Sequence, residues 1–469
     1  MKYIQKINLL VAICLCVSSA SPRISRADTE RQTQVAQASR DADKSGTATS
    51  RDALFGVDTS KAEADKPSES GWRGFVQGEV ARSYRDPAHW SKARVRLELN
   101  RKGQFSEQVK WTIGGRFDYD AAYDRSSFYP AAVRENQRFR FALRENYLDI
   151  NAGDWELRLG RQHVVWGEMV GLFFADVVSA KDLREFILPE LDQLRIPQWA
   201  VRAEYFKNDN KVELLWIPAP SFNEIGKPGA EFYSYPIPGP GGIAFQGEHR
   251  PARKLENSNY GLRLSTLTKG WDVSGFYYHS VDAAQTYYRQ VIPLPSPVFV
   301  YQARHDKINQ FGGTVANDLG GTVLKAEAVY TNGRKYNVTR IGPLDGLVEQ
   351  GTLDYAVGLD FNLPAETRLN VQFYQRIYTN HDPDTLQSKR ESGVTLLVNT
   401  KVGHNVEAQA LLIHSLNRSD WMFRPKISWG FERNWRFAVG ADIFGGPPTG
   451  LFGQYRNNDR VYSELRYSF

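Results

Sequence analysis

The most constraining feature of the sequence is an alternation of apolar and polar residues that recurs from residue 71 to the end. The stretch "ARVRLELN" (93–100) sets apolar residues against Arg94, Arg96 and Glu98, and "VKWTIGGRFDY" (109–119) repeats the pattern. Successive side chains of a β-strand point to opposite faces. Each stretch therefore predicts a strand with one apolar and one polar face.

Connection lengths indicate how these strands are arranged. Short turns such as "RKG" (101–103), "AGD" (152–154) and "NDN" (208–210) alternate with longer loops, and about 18 strands lie between them. An even strand count with short turns at one end and long loops at the other is typical of a bacterial outer-membrane barrel. Only a closed barrel satisfies strand hydrogen bonds in lipid. We predict an all-β fold, a transmembrane antiparallel β-barrel in the outer membrane.

A secreted all-β sandwich, propeller or solenoid is the alternative architecture, but no repeat of fixed period supports it. The chain ends in "VYSELRYSF", with Val461, Leu465, Tyr467 and Phe469 on one face of a predicted closing strand. An apolar outer face suits lipid, and a terminal aromatic residue is a usual feature of substrates of the barrel-insertion machinery. Tyr467 and Phe469 are therefore the predicted insertion signal.

The N-terminus has the layout of a secretory signal peptide. Lys2 and Lys6 precede an apolar run and then small residues; the run is too short to span a membrane. Cleavage after Ala20 or Ala27 fits, a buried helix is the alternative, and we assign residues 1–27 to the signal peptide. Residues 28–70 are polar and predict a disordered periplasmic lead-in, which leaves residues 71–469 for the barrel.

Removal of the signal peptide excludes several kinds of chemistry. Both cysteines, Cys14 and Cys16, lie within it, which argues against disulfides, thiol catalysis, cysteine-ligated metal and covalent haem. Four cations leave with the segment and lower the net charge from +6 to near +2. A general affinity for nucleic acid is therefore not predicted.

Enzyme signatures are missing from the sequence. It contains no Gly-x-Ser-x-Gly and no His-Glu-x-x-His motif, and its eight histidines are scattered. We predict that the protein is not an enzyme and has no catalytic residue, metal site or cofactor. A hydrolase whose site assembles only in space is the alternative.

One stretch, residues 168–197, breaks the strand pattern. Ser179 is a candidate helix cap, and the apolar residues after it follow roughly helical spacing as far as Leu194. Pro189 falls within this run, so we expect two short helical pieces or a kink, ended by Pro197. The prediction is a short helical segment folded into the lumen as a constriction; packing over the rim is the alternative. The predicted constriction residues, whose charged members would mainly anchor the segment, are Arg161, Trp166, Glu168, Asp176, Asp182, Arg184, Glu185, Arg195 and Pro197.

Charged residues on the polar strand faces are predicted to line the lumen. Acids such as Glu98, Asp118, Glu204, Asp442 and Glu464 lie among them, at about half the number of the cations. Two interpretations hold equally: cross-strand ion pairs that hold the wall, or an arginine-lined path for an anion. The predicted lining cations are Arg94, Arg96, Lys110, Arg116, Arg158, Arg202, Arg368, Arg376 and Arg436, with Arg466 in the last strand.

The stretches "LGRQHVVWGE" (159–168) and "ADVVSAKDLREFILPELDQLRIPQW" (175–199) resemble a proteobacterial family of outer-membrane barrels of unknown function. The barrels of that family are broadly similar to alginate-export porins. The resemblance implies a barrel and, since members often accompany exporters of lipids or polymers, an exporter partner. Ser179 and Ala180 depart from the Asn-Pro usual there, which puts a tight turn at this point in doubt.

We therefore predict an outer-membrane channel that passes an anionic or amphipathic solute or polymer and serves a periplasmic or inner-membrane partner. The expected partners are membrane lipid, the barrel-insertion machinery and a periplasmic exporter or cytochrome complex. One alternative is a structural sleeve around a trans-outer-membrane electron conduit of multihaem cytochromes. The other is a surface adhesin or receptor that uses the long loops.

Overall fold

The computed structural model describes residues 71–125, 127–167, 169, 174–234, 242–292, 298–340 and 344–469. The predicted signal peptide (1–27), the lead-in (28–70) and the predicted constriction residue Glu168 lie outside these residues. Within them, no helix is long and apolar enough to cross a membrane.

Eighteen antiparallel strands form one sheet that closes on itself. Each strand pairs with its neighbours in the chain, and the first strand pairs with the last, from Phe75 opposite Ser468 to Ser83 opposite Arg460. The strands are β1 (Arg73–Ser83), β2 (His89–Gln104), β3 (Val109–Asp120), β4 (Phe139–Ala152), β5 (Trp155–Gln162), β6 (Gln198–Lys207), β7 (Asn210–Ala219), β8 (Asn259–Thr268), β9 (Trp271–Val281), β10 (Lys307–Asp318), β11 (Thr322–Asn332), β12 (Thr352–Leu363), β13 (Thr367–Tyr378), β14 (Arg390–Gly403), β15 (Val406–Ser415), β16 (Trp421–Glu432), β17 (Trp435–Gly445) and β18 (Arg460–Ser468). The predicted 18-stranded barrel is confirmed.

Short turns and long loops lie at opposite ends of the barrel, as the sequence predicts. The β4–β5 and β6–β7 turns span only two residues each, whereas 35 residues separate β5 from β6. One predicted turn is misplaced: residues 101–103 lie inside β2, which continues to Gln104 before the turn at 105–108.

The alternation separates a lipid face from a lumen face on every side of the barrel. On β2, Val95 is 51% exposed whereas the next residue, Arg96, is 3% exposed. On β18, Val461 and Leu465 are exposed on the outer face and Arg460 is buried within the lumen. An apolar exterior on a closed barrel with loops of unequal length is the architecture of a bacterial outer-membrane protein.

Helices are few and short among the described residues. They are α1 (Ala122–Arg125), α2 (Ala131–Gln137) and α3 (Leu191–Leu194), with 3-10 turns at Leu255–Asn257 and Gly453–Tyr455. The long loops also carry short strands at Ala180–Lys181, Arg195–Ile196, Gly242–Gln246, Thr286–Ile292, Val298–Arg304, Lys335–Asn337 and Leu347–Glu349.

Of the two short helical pieces predicted on either side of Pro189, the second forms and the first does not. Only α3 forms there, and Phe186 has a φ of 55°, which no right-handed helix accommodates. Ser179 does not cap a helix, because its hydroxyl donates to the Val164 carbonyl at 3.0 Å. Pro189 lacks a backbone N–H and lies outside the helix that follows it, which agrees with the predicted division at this residue.

Candidate functional site

Residues 163–197 connect β5 to β6 and are here called the inserted segment. Its described residues, 163–167, 169 and 174–197, lie in the lumen. Its residues bond to lumen-facing side chains on distant strands: Trp166 reaches Glu213 on β7, and the Leu188 carbonyl accepts from Arg424 on β16 at 2.8 Å. The segment therefore crosses the interior instead of packing over the rim, as predicted for a constriction.

The beginning of the inserted segment is fixed by Trp166. This side chain is fully buried, and its Nε1 donates to Glu213 Oε1 at 2.8 Å. A Cβ on Gly261 of β8 would lie 2.6 Å from the Trp166 ring, so the missing side chain makes room for the indole. Trp166 also packs against Phe276 and Tyr278 of β9, with ring centroids 5.2 and 5.7 Å away.

Glu327 on β11 holds the next part of the inserted segment. Its Oε1 accepts from the backbone N–H of Ala175 at 3.1 Å and from that of Phe174. A Cβ on Gly167 would approach Glu327 Oε2 to 3.1 Å. Trp166 therefore contacts one acid of the barrel wall, and the absence of a side chain at Gly167 leaves room for a second acid.

Two glutamates of the inserted segment face clusters of wall cations. Glu185 pairs with Lys92 and Arg94 of β2, and Arg460 of β18 lies 3.7 Å away. Burial raises the pKa of Glu185, but the attraction of these three cations is stronger and holds it well below its ordinary value. Glu185 is therefore a fully ionised anchor.

Glu190 pairs with three cations on neighbouring strands, and this group of four side chains is here called the Glu190 clamp. Lys426 of β16 lies 3.5 Å, Arg436 of β17 3.6 Å and Arg466 of β18 3.7 Å from its carboxylate. Burial raises the pKa of Glu190, but these cations outweigh it and lower the pKa to about 2. The clamp persists at neutral pH.

Further polar contacts fix the rest of the segment. Asp182 accepts from Arg184 at 2.8 and 2.9 Å and also pairs with Arg140 of β4. Within the segment Arg195 Nε donates to Asp176 at 2.9 Å. Burial raises the pKa of Asp182, but the adjacent Arg184 and Arg140 outweigh it and lower the pKa.

An apolar cluster supports the segment on the same side of the lumen as the Glu190 clamp. Leu188 is buried against Ile413 of β15, Met422 of β16 and Phe444 of β17. Phe186 packs over Tyr455, with ring centroids 5.0 Å apart. The segment thus combines burial of apolar side chains with ion pairs.

Of the predicted lining cations, six contact the inserted segment or line a cavity beside it. Arg94 pairs with Glu185, Arg96 donates to Gln193, Arg436 lies near Glu190, and Arg116 lines the space beside the segment. Arg466 lies 3.7 Å from Glu190, and Arg376 lies over the Phe174 ring, 5.8 Å from its centroid.

The other predicted cations lie elsewhere on the wall. Arg158 donates to Asp149 at 2.5 Å, and Arg202 lies 2.7 Å from Glu204. Lys110 and Arg368 lie close to the starts of β3 and β13, at the short-turn end. The ion-pair interpretation describes Arg158 and Arg202.

Most of the predicted constriction residues lie in the inserted segment, but one lies on the outer face of the barrel. Trp166, Asp176, Asp182, Arg184, Glu185 and Arg195 lie in the inserted segment with the contacts given above, and Pro197 ends it. Arg161 does not belong with them: it alternates with the buried Gln162, pairs with the exposed Trp199 on the outer face, and donates to the Leu143 carbonyl at 2.9 Å. The strand continues to Gln162, one residue beyond Arg161.

Several lumen residues were missed by sequence reasoning. Arg140 and Arg144 face inward from β4, where "FRFAL" alternates as clearly as any other strand. Arg144 donates to the carbonyls of Arg195 and Asp192 in the inserted segment. The signal existed in the pattern of β4; no pattern indicated that Glu190 would face Lys426, 236 residues away.

Two cavities flank the inserted segment within the lumen. The larger, about 210 Å³, lies between the segment and strands β8–β13. The smaller, about 40 Å³, lies between the segment and strands β2–β4. Across the described ranges, no three His, Cys, Asp or Glu side chains are grouped as a metal site would require.

Comparison with known proteins gives one family and a set of similar folds. Residues 32–397 match the model of a family described as "Protein of unknown function (DUF1302)". No curated protein matches the sequence. Among solved structures, OccAB2 of Acinetobacter baumannii is 10% identical with a TM-score of 0.50, over 86% of this chain and 98% of that one.

Two further barrels are similar at 10% identity, each over 86% of this chain and 99% of the other. They are the outer-membrane protein OmpT of Vibrio cholerae, with a TM-score of 0.40, and an anion-selective porin from Comamonas acidovorans, with a TM-score of 0.41. At this identity the likeness to OccAB2 concerns the fold alone. It agrees with a porin-like barrel in the bacterial outer membrane.

Proposed function

The chain belongs to the DUF1302 family of proteins of unknown function, and from its lumen we propose that it is a non-enzymatic channel for an anionic, amphipathic solute or polymer. Solute passage would take place beside the inserted segment or after its displacement. A periplasmic or inner-membrane exporter would deliver or receive the solute.

The observation that carries this proposal is the mixed lining of the larger cavity. Val178 of the inserted segment, Tyr278 of β9 and Val329 of β11 form an apolar part. Arg334 and Arg376, with the acids to which they are paired, form a charged part of the same lining. A wall with both kinds of surface suits a solute that has an apolar body and a charged group.

The preference for an anion is supported by the smaller cavity. Seven cations and five acids line it, which gives an excess of two positive charges. Fixed charges that face a narrow passage set the sign of the ions that enter it.

The contacts of the inserted segment favour a channel over an electron-conduit sleeve. A sleeve must enclose a cytochrome, but the segment occupies the lumen and is bonded to β2 on one side and β7 and β11 on the other.

The experiment is single-channel recording of the full chain in a planar bilayer, with the reversal potential measured under a salt gradient. We expect a low conductance with anion preference, and a severalfold larger conductance after residues 168–195 are replaced by a short Gly-Ser linker. The control shortens the loop at 379–389 and should leave the conductance unchanged. Cation preference, or silence of the deletion variant, would refute the channel.

A further inference from the structure

We propose that Arg116 is the centre of a binding site for a small monovalent anion in the smaller lumen cavity. The inference deepens the proposed channel function, because it names the chemical group that the lumen would hold. It rests on contacts that exist whether or not the barrel conducts.

Arg116 projects inward from β3 and is 3% exposed. Within the described residues, its Nε and Nη1 have no hydrogen-bond partner. A buried guanidinium with unbonded donors is costly unless a ligand, an ion or water satisfies it. The side chain lines the cavity, so such a ligand has space beside it.

The carboxylate near Arg116 is already engaged by another arginine. Asp118 Oδ2 lies 3.3 Å from Arg116 Nε, too misaligned for a hydrogen bond. Arg96 donates to the same carboxylate, to Oδ1 at 2.6 Å and to Oδ2 at 3.4 Å. One negative charge is therefore shared between two guanidinium groups.

The rest of the lining favours an anion as well. Gln137 Nε2 is a further buried donor without a partner among the described residues. The lining also has unbonded oxygens on Glu231, Glu185 and Ser91. Glu185 is already paired with Lys92, and bridging waters are enough to satisfy the other two. The lining cations are Lys92, Arg94, Arg96, Arg116, Arg140, Arg184 and Arg460, and the lining acids are Asp118, Asp120, Asp182, Glu185 and Glu231.

The size of the cavity limits the ligand. Its volume is about 40 Å³, and a single water needs roughly 10–15 Å³ measured in this way. The space suits a halide ion or one carboxylate group and excludes a larger anion. The source would be chloride from the medium or the carboxylate of a passing solute.

Bromide is the probe for this site, because its anomalous scattering locates it in crystals of the full-length protein. We expect a bromide peak within hydrogen-bond distance of the Arg116 guanidinium. Arg116→Met should reduce the occupancy about tenfold or more, since charge-assisted hydrogen bonds are lost. Arg116→Lys keeps the charge with fewer donors and should retain a weaker peak.

The matched control is Arg158→Met, which removes another inward arginine that does not line this cavity. It should leave the bromide peak intact. If carboxylates bind at this site, acetate added with bromide should displace the bromide peak. If acetate does not compete, the occupant is chloride, and a solute carboxylate as the natural ligand is refuted.

Absence of a peak in the unaltered protein, or a peak that survives Arg116→Met, would overturn the site. Diffraction requires no transport, so the result stands apart from the conductance test. A bromide site in a barrel whose deletion variant does not conduct would refute the channel and leave the anion site standing.

Discussion

Lys426 on the barrel wall lies 3.5 Å from Glu190 of the inserted segment, although 236 residues separate them in the chain. Arg436 and Arg466 approach the same carboxylate from the next two strands. One side chain of the segment thus joins three consecutive strands, β16 to β18, and holds the segment in the lumen.

Glu190→Gln should loosen the inserted segment. The change leaves three half-buried cations without their shared counter-charge, at a cost of about 1–3 kcal/mol, between the values for exposed and fully buried pairs. We expect more frequent open events in single-channel recordings and faster proteolysis within the segment. The β-barrel itself should remain folded, because its strand hydrogen bonds are unaffected.

Glu366→Gln is the control for that variant. Glu366 lies in the β12–β13 turn, is largely exposed and pairs with Lys401, away from the inserted segment. It should leave both recordings and proteolysis unchanged. Equal effects of the two substitutions would contradict the clamp.

The clamp should be insensitive to pH until the solution is strongly acidic. The pKa of Glu190 is lowered from 4.5 to about 2 by Lys426, Arg466 and Arg436, which outweigh the effect of burial. A pKa that is lower in the bound segment means that the stabilisation is complete above about pH 4.5 and is lost as pH falls through about 2.

We therefore expect constant conductance and protease resistance from about pH 8 to pH 5, and release of the segment below about pH 3. Glu190→Gln, which has no proton to gain, should weaken this acid response. Opening of the unaltered protein between pH 7 and pH 5 would contradict the assignment.

The sequence predicts the strands of the barrel better than the conformation of the inserted segment, and the reason is geometric. Alternation decides which face of a strand a residue occupies, so the inward positions of Arg94 and Arg436 followed from their neighbours alone. Alternation says nothing about the inserted segment, whose conformation depends on wall residues such as Glu327 that lie far away in sequence. Arg161 illustrates the same limit, because it directly precedes the segment in sequence but lies opposite Trp199 on the outer face.

Trp166 and Gly261 are expected to act as one packing unit. Gly261→Ala places a Cβ 2.6 Å from the indole and should destabilise the protein by about 1–3 kcal/mol. Trp166→Phe leaves Glu213 without a buried donor, at about 1–3 kcal/mol. Heat-modifiability on gels measures the loss of stability in each variant. The double variant should lose less stability than the sum of the two single losses, because phenylalanine leaves room for the added methyl group.

Trp429→Phe is the control for this pair, because Trp429 is 49% exposed on the outer face. The same chemical change there should shift the unfolding midpoint little. If Trp429→Phe and Trp166→Phe destabilise equally, the role of the buried hydrogen bond to Glu213 is refuted.

Phe469→Ala should impair assembly without weakening the assembled barrel. Phe469 closes the barrel through its backbone, which donates to and accepts from Gly74 at 2.9 Å in both directions. These hydrogen bonds do not depend on the ring. The ring itself stacks against that of Tyr467, with centroids 6.0 Å apart. We expect severalfold less protein in the outer membrane, with an unchanged unfolding midpoint for the protein that is inserted. A lowered midpoint with normal membrane levels would mean that the terminal ring stabilises the barrel, and that the insertion machinery does not depend on it.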